Sequence, residues 1–274
     1  MPNLFATSDL HVTHDGNGPI VDEVVPESPE DWLLVAGDVA ERVSATVETL
    51  EVLRSRFATV VWVPGNHELW TTAKDPAQAR GQARYEELVR RCRDIGVLTP
   101  EDEFPVWEHG PRPLTIAPLF LLYDYSWRTP SAEGATLEVA MEQAREAGVV
   151  CTDEYFLHPD PYPSRIAWCR ERLAASTARL DAIPETHGTI LMSHWPLHRH
   201  PTEPLWYPEF AMWCGTERTE DWHLRYRAEI AVYGHLHIPR TTYRDGVRFE
   251  EVSLGYPREW RKRARGAVPL RKLL

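Results

Sequence analysis

Thr59-Val60-Val61-Trp62-Val63-Pro64-Gly65-Asn66-His67-Glu68 is the stretch whose reading decides the fold. Five β-forming residues without polar alternation run straight into a glycine and a string of polar side chains. A short strand buried on both faces reads this way. Leu4-Phe5-Ala6-Thr7-Ser8 repeats the pattern and delivers Asp9-Leu10-His11; Trp32-Leu33-Leu34-Val35-Ala36 repeats it and delivers Gly37-Asp38. Between the second and third strands, residues 44–55 space Val47, Leu50 and Leu53 for one helical face. Strand, polar turn, helix, strand is the βαβ unit, and such sheets collect functional groups in loops at the carboxyl ends of strands.

Farther along, Tyr85, Leu88, Val89 and Cys92 mark an amphipathic helix over 76–94. A strand is expected at 114–120, helices at 136–147 and 165–180, and a proline-rich turn at 158–163. Two more buried strands, 189–193 and 230–234, each deliver histidine: Ser193-His194 and Gly234-His235-Leu236-His237. Residues 247–254 close the sheet region. The chain therefore reads as one domain over 1–274, with a cap or insertion at 126–165 and a basic tail at 258–274.

The composition bounds the function. A chain of 274 residues with 43% hydrophobic content fills a substantial core. Net charge of −11 argues against a protein held to nucleic acid by global electrostatics. It leaves room for an anionic substrate, because bound cations reverse a local field. The four cysteines form no CxxC pair and read as reduced, buried thiols. The first motif already stands at Asp9, so no signal peptide is expected, and no run of apolar residues is long enough to span a membrane. A cytoplasmic protein follows as the expectation.

The motifs require a particular chemistry. Asp9 and His11, like His235 and His237, stand two residues apart, and on a strand such pairs share a face. Asp38 offers two oxygens that can bridge two cations. Asn66 adds a neutral amide oxygen and His194 an imidazole. The donors are nitrogen and oxygen without thiolate, a set that suits Mn, Fe, Ni or Zn. Two metals about 3.5–4 Å apart clamp a phosphate and activate a shared water. His67, offset by one residue from Asn66, is the candidate general acid for the leaving alkoxide. His14, His198 and His200 stay outside the metal set, reading equally as substrate contacts or as solvated loop residues. Asp124 reads as a turn carboxylate. Trp70, Trp195, Trp206 and Trp213 read as buried anchors rather than groove walls.

The order DxH, GD, GNH, H, GHxH over residues 9–237 resembles the calcineurin-like metallophosphoesterases. The resemblance implies a four-layer α/β/β/α sandwich. It implies that Asp9, His11, Asp38 and His237 hold one metal, that Asp38, Asn66, His194 and His235 hold the other, and that His67 is the general acid or contacts phosphate. Two divalent or trivalent ions are implied, Mn and Fe ahead of Zn and Ni. The second motif departs from the usual GDxxD, with Glu41 where an aspartate stands, a place for orienting a neighbour. Arg42 follows it, as an arginine that contacts phosphate does in the protein-phosphatase branch; a helix-start salt bridge is its bland reading. GNHE matches that branch, whereas GHxH is typical of phosphodiesterases and nucleases.

Residues 6–11, 65–72 and 150–154 resemble a narrower group, the actinobacterial 4′-phosphopantetheinyl hydrolases. That resemblance implies a holo acyl carrier protein as substrate and a serine phosphodiester as the bond cut. Arg258, Arg261, Lys262, Arg263, Arg265, Arg271 and Lys272 would then steer an acidic carrier. The rival is a phosphomonoesterase for a small metabolite or phosphoprotein. A nuclease is disfavoured by the charge and by the lack of basic, aromatic-interleaved stretches near the motifs.

Overall fold

Alternation along three short strands divides their side chains between two cores. In β1 (Leu4–Thr7), β2 (Trp32–Val35) and β3 (Thr59–Trp62), Leu4, Ala6, Leu34 and Val61 enter one buried cluster, while Phe5, Leu33, Val35, Val60 and Trp62 enter another. Period-two projection is the cause. The computed structural model describes residues 1–274. The first cluster lies between two sheets, where Ile116, Ile190, Met192, Ile230 and Val232 meet it from the opposite side. The second is closed by α1 (Val43–Arg56) through Leu50 and Leu53, and by Leu88 and Cys92 of a later helix.

The first sheet has the order β10 (Arg271–Lys272), β1, β2, β3, parallel except for the edge strand β10. A single turn, α2 (Asn66–Leu69), follows β3, and then α3 (Gly81–Asp94) packs on α1. The second sheet has the order β4-β5-β6-β7-β9-β8. It begins with β4 (Val106–Trp107) and β5 (Leu114–Pro118). Then come α4 (Leu137–Glu146), α5 (Asp153–Phe156) and α6 (Arg165–Leu180). Next are β6 (Gly188–Met192), α7 (Trp222–Arg225) and β7 (Ala228–Tyr233). The hairpin β8 (Arg240–Arg244) and β9 (Val247–Glu251) follows, with β8 as antiparallel edge. Trp168, Cys169, Leu173 and Leu180 of α6 bury the outer face of this sheet with Ala117, Leu191 and Ala231. The layers are therefore helix, sheet, sheet, helix. All four cysteines are free and buried. No helix is long and apolar enough to cross a membrane.

Two expectations need correction. The helix over 76–94 starts only at Gly81, because Asp75 is committed elsewhere: its carboxylate accepts from Val43 N, Ala77 N and Arg84 Nη2, tying an extended 71–80 loop to α1. Residues 258–274 are not a free tail. They carry α8 (Pro257–Trp260) and β10 (Arg271–Lys272), which completes the first sheet beside β1. Arg263 turns inward onto the carbonyls of Leu254 and His237, at 2.7 and 3.1 Å, while Arg258, Arg261, Lys262 and Arg265 remain exposed.

Candidate metal centre

β1 ends at Thr7 and β7 at Tyr233, so Asp9, His11, His235 and His237 stand beyond the strands rather than on them. The strand alternation expected to aim each pair is replaced by left-handed backbone. Asp9, His11, Asp38, His235 and His237 have φ of 53°, 42°, 54°, 71° and 56°. Such residues cost of order 1–3 kcal/mol each and persist only where the surroundings fix them. The loops fix them here: Asp9 N donates to Gly37 O at 2.9 Å, His11 N to Asp38 O at 3.0 Å, and His235 N to Asp9 Oδ2 at 3.1 Å. Gly65 permits a close approach, since a Cβ there would lie 2.1 Å from Asp38 Oδ1.

The loops bring the seven expected donor residues and His67 into one buried cluster. On one side, His237 Nε2 lies 3.0 Å from Asp9 Oδ1 and 3.2 Å from His11 Nε2, and His11 Nε2 lies 3.8 Å from Asp38 Oδ2. On the other, Asn66 Oδ1 lies 3.1 Å from His194 Nε2 and 3.2 Å from His235 Nδ1, with His194 Nε2 3.4 Å from Asp38 Oδ2. Asp38 is common to both. Ligands about 2.1 Å from a shared ion lie roughly 3–4 Å from one another, depending on the angle between them, so both sets have the spacing a cation needs.

The electrostatics ask for cations too. Asp9 and Asp38 are buried, and neither pairs with a lysine or arginine. Burial opposes their charge, yet the neighbouring imidazoles hold both carboxyls far below the ordinary range. Burial depresses His194 and His237, but Asp38 and Asp9 outweigh it and raise them to about 9 and about 10. Burial and the adjoining imidazoles keep His11 and His235 neutral, His235 at about 3. Buried carboxylates that must recruit protons onto ring nitrogens fit metal ions in those places.

Sequence comparison agrees with this geometry. The calcineurin-like phosphoesterase family matches residues 2–239. The chain belongs to that family. It is 57% identical over 262 residues to the acyl-carrier-protein phosphodiesterase PptH of Mycobacterium tuberculosis, covering 96% of this chain and 80% of that protein. The crystal structure of phosphopantetheinyl hydrolase (PptH) from that organism superposes with a TM-score of 0.95 at 56% identity, over 100% of this chain and 96% of that one. A putative 5′-nucleotidase from Staphylococcus aureus matches at a TM-score of 0.47 and 11% identity, over 92% of this chain and 48% of that one, too remotely to carry an argument.

Around the centre, this calcineurin-like phosphoesterase uses side chains that the motifs did not single out. Glu68 accepts from the N–H groups of Asp38, Val39 and Gly65 at 2.9, 2.7 and 2.9 Å, locking together the loops that carry Asp38 and Asn66. Asp153, fully buried, accepts from Asn66 Nδ2 at 2.9 Å and Trp70 Nε1 at 2.6 Å, leaving the Asn66 carbonyl to face the histidines. Glu259 lies 2.8 Å from His237 Nδ1. The GNHE and Cys151-Thr152-Asp153-Glu154 strings were the only sequence signals for the first two; Glu259 had none.

His67 has Glu41 Oε1 at 3.3 Å from Nδ1, and Tyr256 Oη at 3.3 Å and Asp38 Oδ2 at 3.8 Å from Nε2. Burial lowers it, but Asp38 and Glu41 prevail and hold it above the ordinary imidazole value. A cleft of about 700 Å³ opens beside it, lined by His14, Arg42, Trp70, Phe156 and Tyr256 among others. Arg42 is exposed on this cleft at the start of α1 and makes no salt bridge. Trp195 and Trp213 are buried anchors as expected, but Trp70 packs tilted against His67, ring centres 3.7 Å apart, and walls the cleft, and Trp206 is 96% exposed. His198 and His200 form a separate cluster. Asp124 is a turn carboxylate accepting from Ser126.

Proposed function

We propose that this chain is a dinuclear-metal phosphodiesterase that releases 4′-phosphopantetheine from phosphopantetheinylated acyl carrier proteins. One observation supports the class: two donor sets share Asp38 inside a buried cluster whose carboxylates have no lysine or arginine partner. The substrate rests on 57% identity to a protein named for that activity. Asp9, His11, Asp38 and His237 would hold one ion, and Asp38, Asn66, His194 and His235 the other. Nitrogen and oxygen donors without thiolate suit Mn or Fe first, then Zn or Ni. When bound, such ions clamp phosphate oxygens and acidify a shared water.

The chain's own residues do the rest. Glu41 occupies Nδ1 of His67, so Nε2 is left to face the reacting bond, and Asp38 and Glu41 favour the protonated ring against burial. Water adds to phosphorus and releases a proton to solvent, the bond from phosphorus to the serine oxygen breaks, His67 Nε2 hands its proton to that oxygen, and a proton from solvent restores His67 for the next turnover. The products are the apo carrier, with a free serine hydroxyl, and 4′-phosphopantetheine. Arg42 contacts phosphate from the cleft rim, and small phosphoesters use the same centre. Segment 126–165 caps the site in a single domain, contributing Asp153 and Phe156. The exposed Arg258, Arg261, Lys262 and Arg265 steer an acidic carrier protein. The buried free cysteines accord with the cytoplasm.

The test is intact-mass analysis of a holo acyl carrier protein incubated with Mn²⁺-loaded protein. Conversion to the apo form is the expected result. A carrier that stays holo while bis-p-nitrophenyl phosphate is cleaved would refute the substrate and leave the class standing.

A further inference from the structure

The family match ends at residue 239, yet the chain returns to the metal centre sixteen residues later. Gly255 N donates to Asp9 O at 3.1 Å, which brings the next turn over the histidines. Tyr256 stacks on His11, ring centres 4.5 Å apart and planes 23° from parallel. Glu259, in the first turn of α8, accepts from Tyr256 N at 2.9 Å and places the same Oε2 2.8 Å from His237 Nδ1. Arg263 holds the carbonyl of His237 at 3.1 Å. Gly255 is required by this crowding: its φ is +78°, and a Cβ would stand 2.6 Å from Glu259 Oε2 and 3.3 Å from His237 Cβ.

The outer ring nitrogens of the four imidazoles in the donor sets differ in what holds them. His194 Nδ1 has the carbonyl of Ala36 at 2.8 Å. His11 Nδ1 and His235 Nε2 are buried without a partner. His237 alone has a carboxylate. A carboxylate behind a ligating imidazole fixes its tautomer and orientation and raises its basicity.

We propose that Glu259 is a positioning residue of the metal centre: it holds the Nδ1 proton of His237 and so commits Nε2 to the ion shared with Asp9 and His11. The inference rests on the metal reading above and makes the C-terminal turn, outside the family match, a working part of one site and not of the other.

The test is Mn²⁺ binding to chelator-stripped protein, read by competition with a chromophoric chelator, for wild type, Glu259→Leu and Glu259→Gln. Wild type should take up two ions. Glu259→Leu should lose roughly 10- to 100-fold in affinity at one site and nothing at the other. Glu259→Gln keeps an acceptor for His237 and for Tyr256 N, so a smaller loss at that same site, roughly 3- to 10-fold, is expected from the missing charge. If the leucine variant does not fold, the isosteric glutamine carries the test alone. Two wild-type affinities in the variants would overturn the proposal, as would equal weakening of both sites. A wild-type chain that binds no Mn²⁺ would overturn the metal reading itself, and this inference with it.

Discussion

The protein builds two histidine clusters, and they behave in opposite ways. In the first, five imidazoles surround Asp9 and Asp38. In the second, His198, His200 and His223 pack against Phe249, with the Nδ1 atoms of His198 and His200 3.2 Å apart. Burial depresses imidazoles in both. In the first, carboxylates override burial at two rings, raising His194 to about 9 and His237 to about 10, while His11 and His235 stay low. In the second, burial is joined by Arg244, and His198 and His200 fall to about 4. A carboxylate is present there too, Asp245 at 3.1 Å from His223, but it is half exposed at the hairpin turn, and its pull on His198 is outweighed by burial and Arg244. Histidine count and proximity therefore say little; the two rings that rise, His194 and His237, are the ones beside the buried Asp38 and Asp9.

The sharpest way to break this contrast is to remove the focus. Asp38→Asn keeps the shape and deletes the shared charge. Loss of several kcal/mol of transition-state stabilisation corresponds to roughly 10³-fold or more in turnover. Steady-state rates beside metal analysis read it, and unchanged rate with two ions bound would end the shared-ligand assignment. Next comes His67→Asn, which should lower turnover of the carrier protein by roughly 10²-fold or somewhat more while metal content stays the same. With a nitrophenolate leaving group, which needs no proton, the loss should shrink; equal losses on both substrates would argue against a proton-donating role.

A third effect is thermodynamic. Mn²⁺ at one hundred times its dissociation constant should add about 2.7 kcal/mol to unfolding free energy. Thermal melts should register it for wild type and for His200→Gln, and a His200 variant insensitive to Mn²⁺ would place an ion in the wrong cluster. The smallest effect is acid sensitivity. His198 and His200 have folded values near 4 against 6.5 unfolded, so the unfolded chain takes up their protons first. Their contribution is complete above pH 6.5 and is lost as pH falls toward 4. Urea midpoints across that window should decline less in a His198→Gln, His200→Gln double variant than in wild type; parallel declines would disprove the assignment.

Much of the first cluster was legible because its residues follow buried strands, and apolar runs announce strands. α6 spans 165–180 as the pattern implied, and α1 differs from expectation by one residue at each end. What escaped were roles that exist only across chain distance. Glu259 lies 22 residues beyond His237, past two strands, and nothing local marks it. Asp153 reaches Asn66 across 87 positions. The short strands β8 and β10 carry polar, half-exposed sequences, Arg240-Thr241-Thr242-Tyr243-Arg244 and Arg271-Lys272, with no apolar run to betray them. Period-two spacing pointed to residues that the fold does bring together, but turns and not strands aim them.

Those turns limit what an engineer could do with this centre. Aspartate, asparagine and histidine are the non-glycine residues that enter left-handed backbone most readily. Five donor positions adopt it. A softer centre made by installing cysteine, or a longer reach made with glutamate, would therefore meet resistance from the main chain before any ion arrived. Retuning the metal preference of this scaffold is better attempted from the residues behind the ligands, whose backbones are free of that constraint.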